Sequence, residues 1–216
     1  MLNDLKKVVF FGAHTDDEMI CAGTLHRLVD LGAEVWVVTF GPAATEGDRH
    51  GGFNSLSIVK QEWHNALDAI GVGPGRRILL ETLMPTVNMA DHGQVMCQTM
   101  YDFCEFEKPD AAFILSPHDE NPAHAVLGVQ AERVMRGRVP HVIRCQFPWN
   151  YPNFRPNLYV TLSPEDMWAK QQVIDAYKSQ HFRYDYGEML SAYTKADGLS
   201  VKWEYAEKFE IVRSVV

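Results

Sequence analysis

Nowhere in the 216 residues does an apolar run approach the ~20 needed for a membrane-spanning helix, so no membrane partner is expected. Cysteine is scarce. The four present, Cys21, Cys97, Cys104 and Cys145, form no CxxC pair. They read as reduced, small apolar fillers of a cytoplasmic protein. Cations are outnumbered: 20 Lys and Arg face 28 Asp and Glu, for a net charge of −8. The basic residues are also scattered, whereas affinity for nucleic acid rests on clustered ones, so no nucleic acid is expected. The amino-terminal stretch lacks an apolar segment ending in a small-residue cleavage site, consistent with a cytoplasmic location. No internal repeat, low-complexity tract or Ser/Gly linker divides the chain, and residues 1–216 are expected to form a single domain.

What is present is an alternation of short β-rich runs and longer helical stretches. Val8 to Phe11 and Glu34 to Phe40 read as strands. Between them, Asp17 to Leu31 carries Ile20, Leu25, Leu28 and Leu31 at helical spacing, with Gly32 where a helix cap belongs. Further strands are expected at Arg77 to Leu83, Ala111 to Ser116, Val142 to Phe147 and Leu158 to Leu162. Helices are expected at Ile58 to Ile70, Val95 to Glu105, Ala123 to Met135 and Pro164 to Ser179. This order predicts an α/β fold, a three-layer Rossmann-like sandwich with a mostly parallel sheet. Two stretches break the rhythm. Gly41 to Asn54 is long, polar and glycine-rich, and reads equally as a binding loop or a solvated one. Pro148 to Pro156, dense in aromatics and prolines, reads as packed surface turns, with a pocket wall as the alternative.

The sharpest chemical signal is Gly12-Ala13-His14-Thr15-Asp16-Asp17-Glu18, at the end of the first strand and the start of the next helix. Ligand sites of open parallel sheets lie beyond the carboxyl ends of strands. Three successive acids there are explicable as first-turn residues of a helix, which its dipole stabilises. That explanation leaves out His14. An imidazole with two carboxylates in four positions is what a hydrolytic zinc site requires: two groups hold the metal, and a free carboxylate takes a proton from water. A dinucleotide site is disfavoured, because GxGxxG is absent and acids at the helix start repel phosphate. The second signal, Ser116-Pro117-His118-Asp119-Glu120-Asn121-Pro122-Ala123-His124, follows another predicted strand on the same sheet edge. Catalytic zinc takes three protein ligands; His124 can complete the set, and His118 competes with it.

With these residues the chain resembles the LmbE/PIG-L family of zinc-dependent N-acetylglucosaminyl deacetylases. AHTDDE is similar to that family's AHPDDE signature, and PHDENPAH to its second motif, a variant of HPDxHPDH. Pro156 to Val160, Ala176 to Gln180 and Tyr205 to Glu210 also resemble the family, so the likeness runs in order over most of the chain. The resemblance implies a Rossmann-like sandwich that binds Zn2+ through His14, Asp17 and His124, with Asp16 as general base. It implies hydrolysis of an acetamide on a small-molecule amino-sugar substrate, and relatives that often form homo-oligomers. The alternatives are a non-sugar amide deacylase of the same fold and a non-catalytic metal- or sugar-binding module.

The chain departs from the family pattern at three positions. Thr15 replaces a proline that is not a ligand. Asn121 stands where a histidine often stabilises the tetrahedral intermediate; its amide can donate to an oxyanion but carries no proton at neutral pH. Lys60 replaces an arginine that contacts substrate, keeping the charge without the bidentate fork. His118 is read as a substrate contact, with support of a ligand or solvent exposure as the other options. Gln180 and Glu207 are read as structural hydrogen-bonding and helix-surface residues.

Overall fold

The computed structural model describes residues 2–43, 56–80, 91–150, 154–181 and 185–215. The run Val8 to Phe11 is fully buried, and it forms the centre of strand β1 (Lys7–Gly12). A strand this apolar on both faces belongs in a sheet covered on both sides. It pairs in parallel with β2 (Glu34–Thr39), Val8 opposite Val35, and with β4 (Ala111–Leu115), Val8 opposite Ala111. β3 (Arg77–Leu79) lies beyond β2, and β5 (His141–Cys145) beyond β4, both in parallel. β6 (Leu158–Thr161) and β7 (Ala206–Arg213) complete a seven-stranded sheet of order β3-β2-β1-β4-β5-β7-β6. β7 runs antiparallel to both its neighbours. The sheet is mostly parallel and Rossmann-like, as the alternation of elements predicts.

Among the described residues six helices flank it: α1 (Ala22–Asp30), α2 (Leu56–Ile70), α3 (Gly93–Glu107), α4 (Pro122–Met135), α5 (Pro164–Ala176) and α6 (Tyr186–Ser200). α1, α2 and α5 pack on one another, and α3 packs on α4. Their buried faces and the sheet share one apolar cluster centred on Phe10, Phe11, Phe113, Leu25 and Leu127. No described helix is long and apolar enough to cross a membrane. Cys21, Cys104 and Cys145 are buried and Cys97 half-buried, all as free thiols. Burial pushes the Cys104 thiol up to about 12, as expected of an apolar filler.

The structure departs from the expectations in several places, and the antiparallel strand β7 (Ala206–Arg213) was not among the expected strands. The first helix does not start at Asp17: residues Asp17–Ile20 form a 3-10 turn, and α1 begins only at Ala22. The helix expected to reach Ser179 stops at Ala176, and a short 3-10 turn, Lys178–Gln180, follows. α6 has no counterpart in the apolar pattern. Its buried face is Tyr186, Leu190, Thr194 and Gly198, and two of these four are not apolar. The loop from Gly41 to Asn54 falls outside the described residues beyond Ala43, as does the end of the expected strand Arg77 to Leu83.

Candidate metal centre

In the sheet order, the direction of winding reverses between β1 and β4. The crevice beyond the carboxyl ends of two such strands is where open α/β sheets bind ligands. The His14–Glu18 segment leaves β1 there, and the Ser116–His124 segment leaves β4. His14 Nδ1, Asp17 Oδ1 and His124 Nε2 converge in this crevice. The separations are 3.3 Å between the two imidazole nitrogens, 3.6 Å from His14 to Asp17 and 3.0 Å from His124 to Asp17. All three residues are buried. Donors around a tetrahedral zinc, with bonds of about 2.0–2.1 Å, stand about 3.3 Å apart. Two imidazoles and one carboxylate are also the donor types zinc takes, so the residues present fit the ion.

Each donor is aimed by the backbone or by a partner. Asp17 Oδ2 accepts the main-chain N–H groups of Ala13 and His14 at 2.7 and 2.8 Å, which leaves Oδ1 for the triangle. His124 Nδ1 lies 3.1 Å from Asp119 Oδ2, fixing the ring so that Nε2 faces the crevice. Asp119 Oδ1 in turn accepts from the Asn121 main chain and from Asn150 Nδ2, both at 2.8 Å. Gly128, one turn along α4 from His124, lets the helix touch the end of β4. A Cβ there would meet Leu115 O and Pro117 N at 2.6 Å, and would push His124 away from the crevice.

Electrostatics tie the three together. Burial pushes the Asp17 carboxyl up, but His124 and His14 beside it outweigh burial and hold it well below the usual carboxylate range. Burial pushes the His124 imidazole down, yet the Asp17 and Asp119 carboxylates raise it to about 10 in the metal-free protein. Glu18 belongs to a different environment. It is fully buried, and burial raises its carboxyl well above the ordinary range while the Tyr177 hydroxyl donates to Oε1. Of the three successive acids, Asp17 therefore faces the crevice ionised, while burial makes Glu18 a weaker acid held by Tyr177 away from the triangle. Asp16, 9% exposed, is not among the converging donors.

The remaining expected site residues take varied positions. Thr15 is buried, and its hydroxyl accepts the main-chain N–H of Ala43 at 3.0 Å. The residue that replaces proline thus ties the segment after β2 to the His14–Glu18 segment. Asn121 is the N-cap of α4, its Oδ1 accepting from Ala123 N at 3.0 Å. His118 is exposed, and Lys60 is half-buried on α2. Gln180 is fully buried. Glu207 is no helix-surface residue: it is a buried member of β7, ion-paired with Lys170 at 2.6 Å.

Asp119, Asn150 and Lys170 were missed by sequence reasoning. Asp119 had a signal, an acid five residues before a histidine in the same strand-end motif. Asn150 sits in the described part of the aromatic stretch, and its amide donates to Asp119 beside the site. Phe147 lies 5.9 Å from the His124 ring and stacks on Trp149 at 5.0 Å, and Trp149 lies 5.7 Å from Tyr186. Tyr151 to Asn153 are outside the described residues. A second cluster, His26, Asp30 and Asp166, lies between α1 and α5. Its Asp166 is already committed to a capping box with Ser163 and lies 3.7 Å from Arg27, so a cation there meets competition.

This fold, with an imidazole–carboxylate–imidazole centre at its switch point, is that of a family of metal-dependent deacetylases. The chain belongs to the PIG-L family: the model of GlcNAc-PI de-N-acetylase matches residues 9–135, which include both strand-end motifs. Among solved structures, a conserved protein of Thermus thermophilus is 21% identical, covers 97% of this chain and 96% of its own, and superposes with a TM-score of 0.78. N,N'-diacetylchitobiose deacetylase from Pyrococcus horikoshii is 19% identical, with 98% and 85% coverage and a TM-score of 0.69. The 4-carboxy-2-hydroxymuconate hydratase GalB from Pseudomonas putida is 16% identical, with 98% of each chain covered and a TM-score of 0.77. At such identities the likeness shows the fold. No curated protein matches the sequence.

Proposed function

We propose that the chain is a zinc-dependent hydrolase that removes the acetyl group from a GlcNAc-type amino-sugar conjugate. The observation that carries this reading is the buried triangle of His14, Asp17 and His124 at the switch point of a PIG-L chain. Zinc bound there supplies Lewis acidity toward an amide carbonyl and lowers the pKa of water. Asp16, next to Asp17 yet outside the triangle, takes the proton of the attacking water and returns it to the departing nitrogen. Water thereby adds across the C–N bond, giving acetate and a free amine. Asn121 Nδ2 donates to the carbonyl oxygen as negative charge builds on it. Lys60 and His118 contact the conjugate. Asp119 holds the His124 ring in place through each turnover.

A hydratase shares the fold, so the fold alone does not select the reaction. The test is acetate release by zinc-loaded protein from a panel of GlcNAc conjugates, with N-acetyl amino acids as the non-sugar arm. Metal-dependent release from a sugar conjugate is expected. Release from the amino acids alone would move the substrate to non-sugar amides. A zinc-loaded protein that releases no acetate from any member would refute the reading.

A further inference from the structure

Tyr177 and Glu18 are both fully buried, 159 positions apart in the chain, and the Tyr177 hydroxyl donates to Glu18 Oε1. Among the described residues no other side chain hydrogen-bonds to Glu18, and its Oε2 has no partner. Burying a carboxyl group on so few contacts is costly, and native proteins seldom do so without a reason. Neither residue belongs to the triangle of converging donors. Glu18 nevertheless follows Asp17 directly, inside the 3-10 turn Asp17–Ile20. Successive side chains of such a turn project about 120° apart, since three residues complete it. Asp17 can face the crevice only while Glu18 faces the core. A slip of the turn by one position would exchange the two carboxylates, and Glu18, one methylene longer, would meet the cation.

Tyr177 is itself held from two sides. α5 ends at Ala176, and Tyr177 caps it, donating its N–H to Ile174 O at 3.1 Å. The turn that follows, Lys178–Gln180, is fixed by the buried Glu62 of α2. Its carboxylate accepts the Ser179 main-chain N–H at 2.8 Å and the Ser179 hydroxyl as well. The phenol therefore meets Glu18 from an anchored position. We propose that Tyr177 is a positioning residue of the metal centre that acts by exclusion. It keeps Glu18 in the core, so that of these two neighbouring acids Asp17 alone reaches the cation. The sparsely bonded carboxyl is then the cost of choosing one ligand among three consecutive acids. The proposal rests on the reading that the triangle binds a metal ion.

The test uses the full chain, with Zn2+ affinity from chelator competition and Co2+ binding from its visible absorption. Wild type is compared with Tyr177→Phe, Glu18→Gln and the double variant. E18Q is expected to match wild type in both measurements, because its amide oxygen still accepts from Tyr177 and it brings no charge to the metal. Y177F is expected to bind zinc about 10–100-fold more weakly and to alter the cobalt spectrum, as Glu18 competes with Asp17. Adding E18Q to Y177F is expected to restore both, a rescue that a tyrosine serving only to pack would not show. If Y177F does not fold, Glu18→Asp takes its place. Its shorter side chain cannot keep the bond to Tyr177, so it frees a carboxylate with the phenol intact, and it should alter the spectrum where E18Q does not. The proposal is overturned if Y177F, or E18D in its place, keeps the wild-type spectrum and zinc affinity. It is overturned equally if the double variant stays as weak as Y177F. None of these measurements requires turnover. A wild type that binds neither ion refutes the metal reading and this proposal with it, whereas zinc binding indifferent to Tyr177 refutes the positioning role alone.

Discussion

The Lys170–Glu207 ion pair, 2.6 Å across, occupies the place of two main-chain hydrogen bonds in a helix that is interrupted at Cys21. In a continuous α-helix from Asp17, the N–H groups of Gly23 and Thr24 would bond to Met19 O and Ile20 O. Instead both carbonyls accept from Lys170 Nζ, at 2.9 and 3.1 Å, and both N–H groups donate to Glu207, at 3.2 and 2.8 Å. The pair is wedged into the opened turn, with all four backbone groups satisfied. Gly23 permits the close fit, since a Cβ there would meet Leu162 at 2.7 Å. The interruption leaves Asp17 in a tight turn with its carboxylate folded back on Ala13 and His14, the conformation the triangle uses.

Replacing Lys170 with Met should therefore unfold the protein more easily by about 3–5 kcal/mol, because Glu207 is left buried without its counter-charge. Adding Glu207→Leu should recover part of that loss. Recovery should stop short by about 2 kcal/mol or more, since Met19 O, Ile20 O and the N–H groups of Gly23 and Thr24 are then all without a partner. Urea melts of the single and double variants measure both terms. A double variant less stable than the single one would show that the wedge matters for the backbone groups and not for the charge.

This wedge also explains where the sequence was legible and where it was not. The strands around β1 and the two motifs at strand ends are local: apolar runs, then His and acids within a few positions, on one edge of one sheet. Asp17 to Leu31 has helical spacing throughout, and nothing local says that the helix stops at Cys21. The cause is a lysine and a glutamate 37 positions apart that meet a turn some 150 to 184 residues earlier. α6 is hidden for a different reason, since Thr194 and Gly198 hold half of its buried stripe. Asn121 reads from its motif as a catalytic donor, and the fold shows it also as a helix cap, a role that the Asn-Pro step before a helix carries in its own right.

Asp119→Asn should weaken zinc binding by about 10–100-fold. The variant keeps the shape and one contact to His124, but it removes the carboxylate that orients the ring and makes it a better donor. Competition with a chromophoric chelator measures the change. The melting temperature of the metal-free variant should move far less, and equal zinc affinity in both proteins would show that His124 is held by packing against Phe147 instead.

Metal removal separates ligands from the base. Zinc at about 100 times its Kd should stabilise the protein by about 2.7 kcal/mol, or raise the Tm by about 5–10 °C for a chain of this size, and EDTA should abolish the gain. Asp17→Asn should lose most of that zinc-dependent shift. Asp16→Asn should keep it while lowering turnover by about two or more orders of magnitude. An Asp16 variant that no longer gains stability from zinc would place Asp16 among the ligands.

The last expectation separates the two jobs of Asn121. Its Oδ1 caps α4 through Ala123 N, and that bond holds the amide in one orientation at the entrance of the second motif. The Nδ2 group is the part that an oxyanion needs, and a carboxylate or hydroxyl can replace the cap without replacing it. Asn121→Asp and Asn121→Ser should therefore leave urea stability within about 0.5 kcal/mol of wild type, while Asn121→Ala loses about 1 kcal/mol. If the amide stabilises the developing charge, all three variants should lower kcat by about 10²–10³, and KM should change much less. His118→Ala then raises KM and leaves kcat nearly unchanged, as befits a substrate contact. Should Asn121→Ser keep full turnover while His118→Ala loses it, the oxyanion donor is the exposed histidine, and Asn121 serves the helix alone.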